Sequence, residues 1–402
     1  MTRMKTEVAV VGGGPAGLIA AVALAQAGVE TVLIAKRPAQ DDHRTTALLL
    51  GSVTALQTLG AWAACAPRAA PLRRMRIVDD TARLLRAPEI TFDAAEIGLE
   101  AFGHNMQNRD LLAALDDATR LLDRSLSRSD SAARAVTIGD DGVTVTLENG
   151  DEVIAPLVIG ADGRGSLCRA AAGIENDVRA YPQTALTFNL AHARPHQDIS
   201  TEFHTSQGPF TLVPLPGRRS SLVFVTDPAN AQTVAALDAA ALAQELERRS
   251  HSILGKLAPE PCRGVFPLAM QTARRVAASR ISLIGEAAHV LPPIGAQGLN
   301  LGLRDAATIV EIAVDARRAG EDIGGDSVLD RYNEMRRSDV ASRALAVDML
   351  NQTLLSDFLP LQGARQLSFF MLQSIGPLRR AVMREGVAPS LSQPRLMRGE
   401  AL

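Results

Sequence analysis

The chain has 402 residues, more than one ordinary domain needs, and 47% of them are hydrophobic, enough for two intimately packed domains with a sizeable core. Its 42 basic and 44 acidic residues leave a net charge of −2, which excludes a global field drawing the protein to nucleic acid or anionic membrane, so any partner must be recognised locally. Cys65, Cys168 and Cys262 are isolated, odd in number and in no metal-ligand spacing, which excludes a disulfide framework and suits a reducing, cytoplasmic compartment.

The amino terminus lacks the pattern of a cleavable signal, because its apolar run Val8 to Val11 goes straight into a glycine cluster. Residues 7–35, EVAVVGGGPAGLIAAVALAQAGVETVLIA, predict a strand, a tight glycine turn, an Ala-rich helix, a glycine stop and a second strand. Gly12, Gly14 and Gly17 fill the G-x-G-x-x-G spacing: the first permits the turn, the second lets backbone approach a pyrophosphate, and the third lets the helix pack on the strand. The helix amino terminus then offers unpaired N–H groups and a positive dipole end to the anion. The helix itself is too short to span a bilayer, and no other apolar stretch is long enough.

The acid that usually binds a ribose should end the second strand, yet Ile34 is followed by Ala35, Lys36 and Arg37. These two cations either face the 2′-phosphate of NADP, as in an NADP-dependent dehydrogenase, or simply cap a strand end. The second reading is preferred, because DDHRTTALLLG (41–51) supplies Arg44 and two threonines as other polar contacts.

Strands are predicted at RRMRIVDD (73–80), TARLLRA (81–87), TALTFNLAHA (184–193), STEFHTS (200–206), PFTLVPL (209–215) and SSLVFVTD (220–227). DRSLSRSDSAARA (123–135) is loop-like, while helices are predicted for AALDAAALAQELERRSHSIL (235–254) and beyond residue 326. His192 and His196 have helical metal spacing, but Pro195 intervenes and the flanks are strand-like, so zinc is not expected. His204 alternates within its strand and is assigned to a solvated face.

Two further segments suit FAD, which carries a ribityl chain and a tricyclic ring beyond its pyrophosphate. LVIGADGRGSLCR (157–169) ends a strand in Gly160, places Asp162 and Gly163 in a turn and continues with Ser166 and Arg169. ISLIGEAAHVLPPIGAQGLNLGLRD (281–305) ends a strand at Glu286, whose carboxylate suits ribityl hydroxyls, stiffens a turn with Pro292 and Pro293, and starts a helix at GAQGLN. That helix end suits the pyrimidine edge of the flavin, where reduction places negative charge. His289 is given a structural hydrogen-bonding role.

The order and spacing of GGGPAG, GADGRGS and GEAAHVLPPIGAQGLNLGLRDA resembles the class A flavoprotein monooxygenases, and the last segment is similar to the ubiquinone-biosynthesis hydroxylases among them. HNMQNRDLLAAL (104–115) and GPFTLVPLPGRRSSLVFV (208–225) extend the likeness from residue 7 to about residue 350. The resemblance implies an α/β fold with a Rossmann-like FAD-binding domain (1–70, 100–178 and 270–325), an inserted strand-rich substrate domain (71–99 and 179–269) and a helical carboxyl-terminal region (326–402). It implies that Gly12, Gly14, Pro15, Ala16 and Gly17 meet the pyrophosphate and that Arg44 and Arg109 hold the adenosine side. Asp162 and Glu286 would bind the middle of the cofactor, and Pro293, Gly295, Gln297, Gly298, Leu299 and Asn300 would lie along the flavin ring.

The implied activity is hydroxylation of the aromatic ring of a prenylated quinone precursor, with NAD(P)H as transient co-substrate, O2 as oxidant and no metal; no residue is assigned as catalytic base. Two positions depart from the family pattern: Ala35 replaces the usual ribose-binding glutamate, and Glu286 the usual aspartate. Losing one ribose hydrogen bond, worth about 1 kcal/mol net, favours partial FAD loading. Hydroxylation of a small soluble phenol and a weakly FAD-binding, non-catalytic role in a quinone-biosynthesis complex are the alternatives. A prenylated substrate further implies contact with the inner membrane or with a partner of such a complex. The tail segment at 354–386, which mixes Leu, Phe and Met with Arg379, Arg380 and Arg384, is either that surface or a cover for the FAD domain.

Overall fold

The computed structural model describes residues 2–37, 42–81, 86–122, 124–355, 359–387 and 393–402. Its central sheet has six strands in the order Ala277–Ala278, Ile281–Leu283, Leu157–Gly160, Val8–Val11, Thr31–Ile34 and Leu126–Ser129. All pairings are parallel except the first. The inner strands VAVV, TVLI and LVIG are buried throughout, because helices cover both faces of a parallel sheet and no alternation survives. One of those helices, Pro15–Gln26, buries every residue from Ala16 to Ala25, its alanines allowing close approach to the strands and to the helix Gln297–Arg318.

A second, eight-stranded sheet runs His289–Val290, Leu257–Ala273, Asn176–His192, Arg219–Thr226, Gly208–Leu215, Ile199–Thr205, Arg74–Asp79 and Ile90–Asp93. One face packs Phe203, Phe210 and Phe224 against Leu242 and Leu246 of the helix Ala239–Arg249. The opposite face turns toward the first sheet's unit: Asn105 donates to Pro214 O (2.8 Å) and Ser221 Oγ (3.1 Å), and Asn189 donates to His43 O (2.8 Å). Three tail helices, Asp326–Leu355, Leu359–Ser374 and Gly376–Val387, run along both units.

Several expectations are corrected. The loop-like stretch 123–135 contains the strand Leu126–Ser129 and the start of Ala133–Ile138; the former is the outer strand of its sheet, where serine and arginine are tolerated. The helix drawn over 235–254 is two, Pro228–Ala236 and Ala239–Arg249, separated because the Asp238 carboxylate caps the second by accepting from Ala241 N (2.8 Å). The 17-residue strand Leu257–Ala273 was not anticipated, since it contains Pro259, Pro261 and Pro267. Its pairing with Asn176–His192 shifts register beside Pro259 and Pro267, and such bulges are where a sheet accommodates proline. Most of TARLLRA lies outside the described residues.

Candidate FAD site

The glycine turn is shaped by backbone contacts. A Cβ on Gly12, at φ +120°, would lie 2.1 Å from Ala161 O, and one on Gly17 would lie 2.1 Å from Gly12 O. Both positions therefore require glycine, and the first of them brings the turn against the second segment. Gly14 is different: nothing lies within 4 Å of its would-be Cβ. It caps the helix Pro15–Gln26 in extended conformation, φ −72° and ψ 171°, without a side-chain cap, and Pro15 occupies the first turn, where a missing N–H costs nothing. Open space in front of an uncapped helix end, with Ala16 and Gly17 behind it, fits a pyrophosphate.

The third segment converges on the same point. A Cβ on Gly302 would meet Gly285 Cα at 2.9 Å, and Ala16 Cβ lies 3.5 Å from where a Gly285 Cβ would stand. Arg169 fastens segments two and three by donating to Ala287 O (2.9 Å) and Arg164 O (2.7 Å). Glu286, half-exposed, pairs with Arg164 at 3.2 Å. The Asp162 carboxylate accepts from Ser166 Oγ (2.5 Å) and Cys168 N (3.1 Å), so its first task is to hold its own turn.

The helix Gln297–Arg318 begins after two successive left-handed residues, Gly295 (φ 65°) and Ala296 (φ 54°), again with no side-chain cap, and Gly298 leaves open space. Pro293 is exposed before this turn and Leu299 is partly buried against the core. Gln297 accepts from Arg343 (2.7 Å). Asn300 spends its side chain within the fold: Oδ1 accepts from Leu49 N (2.8 Å) and Ser52 Oγ (2.7 Å), while Nδ2 donates to Ala47 O (2.8 Å) and Ala296 O (2.6 Å). Such an end stabilises charge placed before it.

Of the two arginines expected on the adenosine side, Arg44 makes a two-pronged pair with Asp42 (2.9 and 2.8 Å). Burial opposes ionisation of Asp42, but the Arg44 bonds and charge hold it below the usual carboxylate range. Arg109 donates to Gln107 Oε1 (2.7 Å) and lines a cavity of about 250 Å³ with Arg68 and Arg219. Lys36 pairs with Glu148 (2.7 Å) and Arg37 with Asp130 (3.2 Å), which favours capped cations over a 2′-phosphate site. Ala35 is buried, its Cβ 2.8 Å from where a Gly13 Cβ would stand.

Beneath the third segment lies a buried charge network that the sequence reading missed. His289 Nε2 meets Asp305 Oδ2 (2.5 Å), Arg336 bridges Asp305 (2.7 Å) and Asp339 (2.6 Å), and Asp339 also receives Arg304 and Arg343. Burial opposes ionisation of Asp305 and Asp339, yet the surrounding cations hold both below the usual range. The spacing of Arg336, Asp339 and Arg343 was visible in the sequence, but it is also that of a solvated helix face. His289 thus has the structural role assigned to it. His192 bonds to Ser220 Oγ (3.1 Å) and His196 to Leu215 O (3.0 Å), with the Asp198 carboxylate 3.6 Å from His196 Nδ1. His204 corrects the reading of a solvated face: its side chain is 2% exposed and paired with Glu202.

The family model for an FAD binding domain matches residues 5–347. The chain is 35% identical over 405 residues to the ubiquinone hydroxylase UbiL of Rhodospirillum rubrum, covering 98% of this chain and 93% of the relative. It is 32% identical over 393 residues to the 3-demethoxyubiquinol 3-hydroxylase of Escherichia coli, covering 96% and 99%. Among solved structures, the p-nitrophenol 4-monooxygenase PnpA of Pseudomonas putida superposes with TM-score 0.77 at 19% identity over 96% of this chain and 98% of its own, which shows a shared fold. Klebsiella pneumoniae HpxO, solved with FAD and uric acid, gives 0.75 at 21% over 96% and 97%. With three segments meeting at one uncapped helix end and the family match running over most of its length, the chain belongs to the FAD-binding domain family of monooxygenases.

Proposed function

We propose that this protein is an FAD-dependent monooxygenase that hydroxylates the aromatic ring of a prenylated quinone precursor in ubiquinone biosynthesis, using NAD(P)H and O2. The observation that carries the reading is likeness over nearly the whole chain, at 35% and 32% identity, to two proteins named as hydroxylases of ubiquinone or its precursor. Bound FAD would supply the redox chemistry and the activation of dioxygen. The chain's part is to hold the pyrophosphate at Gly14, to offer Arg44 and Arg109 to the adenosine side and Glu286 to the ribityl chain, and to set the uncapped helix end at Gln297–Asn300 along the flavin ring. Purified protein given FAD, NAD(P)H and a prenylated phenol in detergent should yield a product heavier by one oxygen. NAD(P)H oxidation with the phenol unchanged would defeat the reading.

The same reading brings the enzyme to an anionic lipid surface, where such a substrate resides. No helix among the described residues is long and apolar enough to cross a membrane. Support comes instead from the tail, where Leu367 (59%), Phe370 (58%), Ile375 (42%), Leu378 (37%) and Val382 (46%) are exposed, and where Arg384 is also exposed. Other tail residues serve the fold: Met383 and Val387 pack on Ala94 and Phe102, and Arg379 pairs with Glu96 at 2.6 Å. Cutting the tail would therefore unmask core, so point substitutions are the proper test. Phe370→Glu with Leu367→Glu should abolish sedimentation with anionic vesicles while FAD stays bound. Unchanged sedimentation, or its replacement by self-association in the wild type, would refute the lipid surface.

A further inference from the structure

Behind the eight-stranded sheet, on the face turned away from the FAD unit, lies a cavity of about 410 Å³, a volume in the range of small-ligand sites. The register places it there. Arg76 lies opposite Thr201, Thr201 opposite Leu212 and Leu212 opposite Leu222, and the two leucines pack in the cluster of Phe203, Phe210 and Phe224 under the helix Ala239–Arg249.

The walls are held rigidly. Gln197 and Asp198 (φ 54° and 57°) in one turn and His251 and Ser252 (φ 49° and 52°) in the other are left-handed non-glycine residues, a conformation that costs about 1 kcal/mol or more each and persists only where the surroundings enforce it. Arg194 N donates to Leu254 O (2.9 Å) and Ala193 N to Lys256 O (3.0 Å), which ties the two turns together. His196 lines the cavity, yet both its ring nitrogens are spent on backbone: Nδ1 accepts from Asp198 N (3.0 Å) and Nε2 donates to Leu215 O (3.0 Å).

That leaves two cations on the lining. Arg76, half-buried, donates through Nη2 to Thr201 Oγ1 (3.2 Å), while its Nε is buried without a partner. Arg194 is exposed, and its guanidinium makes one long bond to Ser252 O (3.4 Å). Among the described residues neither guanidinium pairs with a carboxylate, and Asp198, the acid of the same turn, is engaged by Arg73 at 3.3 Å. Two arginines on one cavity with no acid between them, one with a buried N–H unmet, are short of an anion. The rest of the lining decides what carries that anion. Ile199, Leu212, Ile253 and Leu254 offer hydrocarbon, where a free phosphate would leave oxygens without donors.

We propose that this cavity is a second ligand site and takes a compact apolar carboxylate. The carboxylate meets Arg76 and Arg194, and its hydrocarbon body lies against Ile199, Leu212, Ile253 and Leu254. The sheet stands between this site and the FAD unit, so its ligand is not the ring that is hydroxylated, and the inference holds without the hydroxylase reading.

Calorimetric titration of full-length, FAD-loaded protein with cyclohexanecarboxylate tests it, with the corresponding amide and inorganic phosphate as comparisons. Wild type should bind the carboxylate at one site with a dissociation constant of about 1 mM or tighter, and the uncharged amide about tenfold more weakly. Arg76→Met, which keeps the apolar stem, should weaken the carboxylate about tenfold while FAD content holds. Arg194→Met should weaken it severalfold, and decides the matter should the Arg76 variant fail to fold, because its side chain is exposed. No saturation below about 10 mM, equal binding of acid and amide, or wild-type affinity in either folded variant overturns the proposal. Phosphate bound more tightly than the carboxylate overturns it too, since the apolar floor would then have no part in recognition.

Discussion

Replacing Gly14 by valine separates cofactor binding from folding. The residue sits at φ −72° and ψ 171°, open to any L-residue, and nothing lies within 4 Å of the added Cβ. The apoprotein should therefore lose no more than about 1 kcal/mol, the difference between glycine and a poor helix cap. The valine side chain fills the space in front of the helix end, where two backbone N–H groups would each give a charge-assisted bond worth about 1.5–3 kcal/mol. FAD affinity should fall by about 3–6 kcal/mol, more than a hundredfold. Flavin titration followed by fluorescence, alongside urea unfolding of the apoprotein, reads both quantities. Affinity within threefold of wild type, or an unfolded variant, would refute the assignment of that space to the pyrophosphate. Gly17→Val is the contrast: its Cβ would meet Gly12 O at 2.1 Å, so it should fail to fold.

Other outcomes follow from the same geometry. Ala35→Glu restores an acid at the end of Thr31–Ile34 and should tighten FAD by about 1 kcal/mol in the same titration; unchanged affinity would mean the ribose lies elsewhere. Asp305 and Asp339 have native values below the usual carboxylate range, so their stabilisation is present above about pH 4 and is lost as pH falls through those native values. Asp339→Asn, which strands Arg304, Arg336 and Arg343, should cost about 3–5 kcal/mol at neutral pH and flatten the acid limb of urea stability, whereas an unaltered acid limb would contradict it. Gln297→Leu, which removes the bond from Arg343 but leaves the Arg343–Asp339 pair in place, should weaken FAD by severalfold with little change in unfolding midpoint; a large midpoint change would make Gln297 a purely structural residue.

What the sequence disclosed and what it hid have physical causes. Gly12 and Gly17 are legible because backbone from distant segments presses on them, and only glycine satisfies that. The strands around Thr184, Phe210 and Leu222 are legible from their β-branched and aromatic residues. Leu257–Ala273 is not, because its prolines sit at bulges that only the partner strand defines. His204 was misjudged because alternation fixes which residues share a face but not what covers it: Phe203 and His204 point opposite ways, and both are buried. Asn300 shows the converse, a residue drawn toward the cofactor by pattern whose four hydrogen bonds are all internal.

A chain that holds FAD in order to place an oxygen atom on a prenylated phenolic ring must take that atom from dioxygen. Turnover under heavy-isotope dioxygen with FAD-loaded protein, NAD(P)H and a prenylated phenol, followed by mass spectrometry, reads this. The product should carry one heavy oxygen atom on its ring. NAD(P)H consumed with all the label recovered as peroxide and water, and the phenol unaltered, would contradict it.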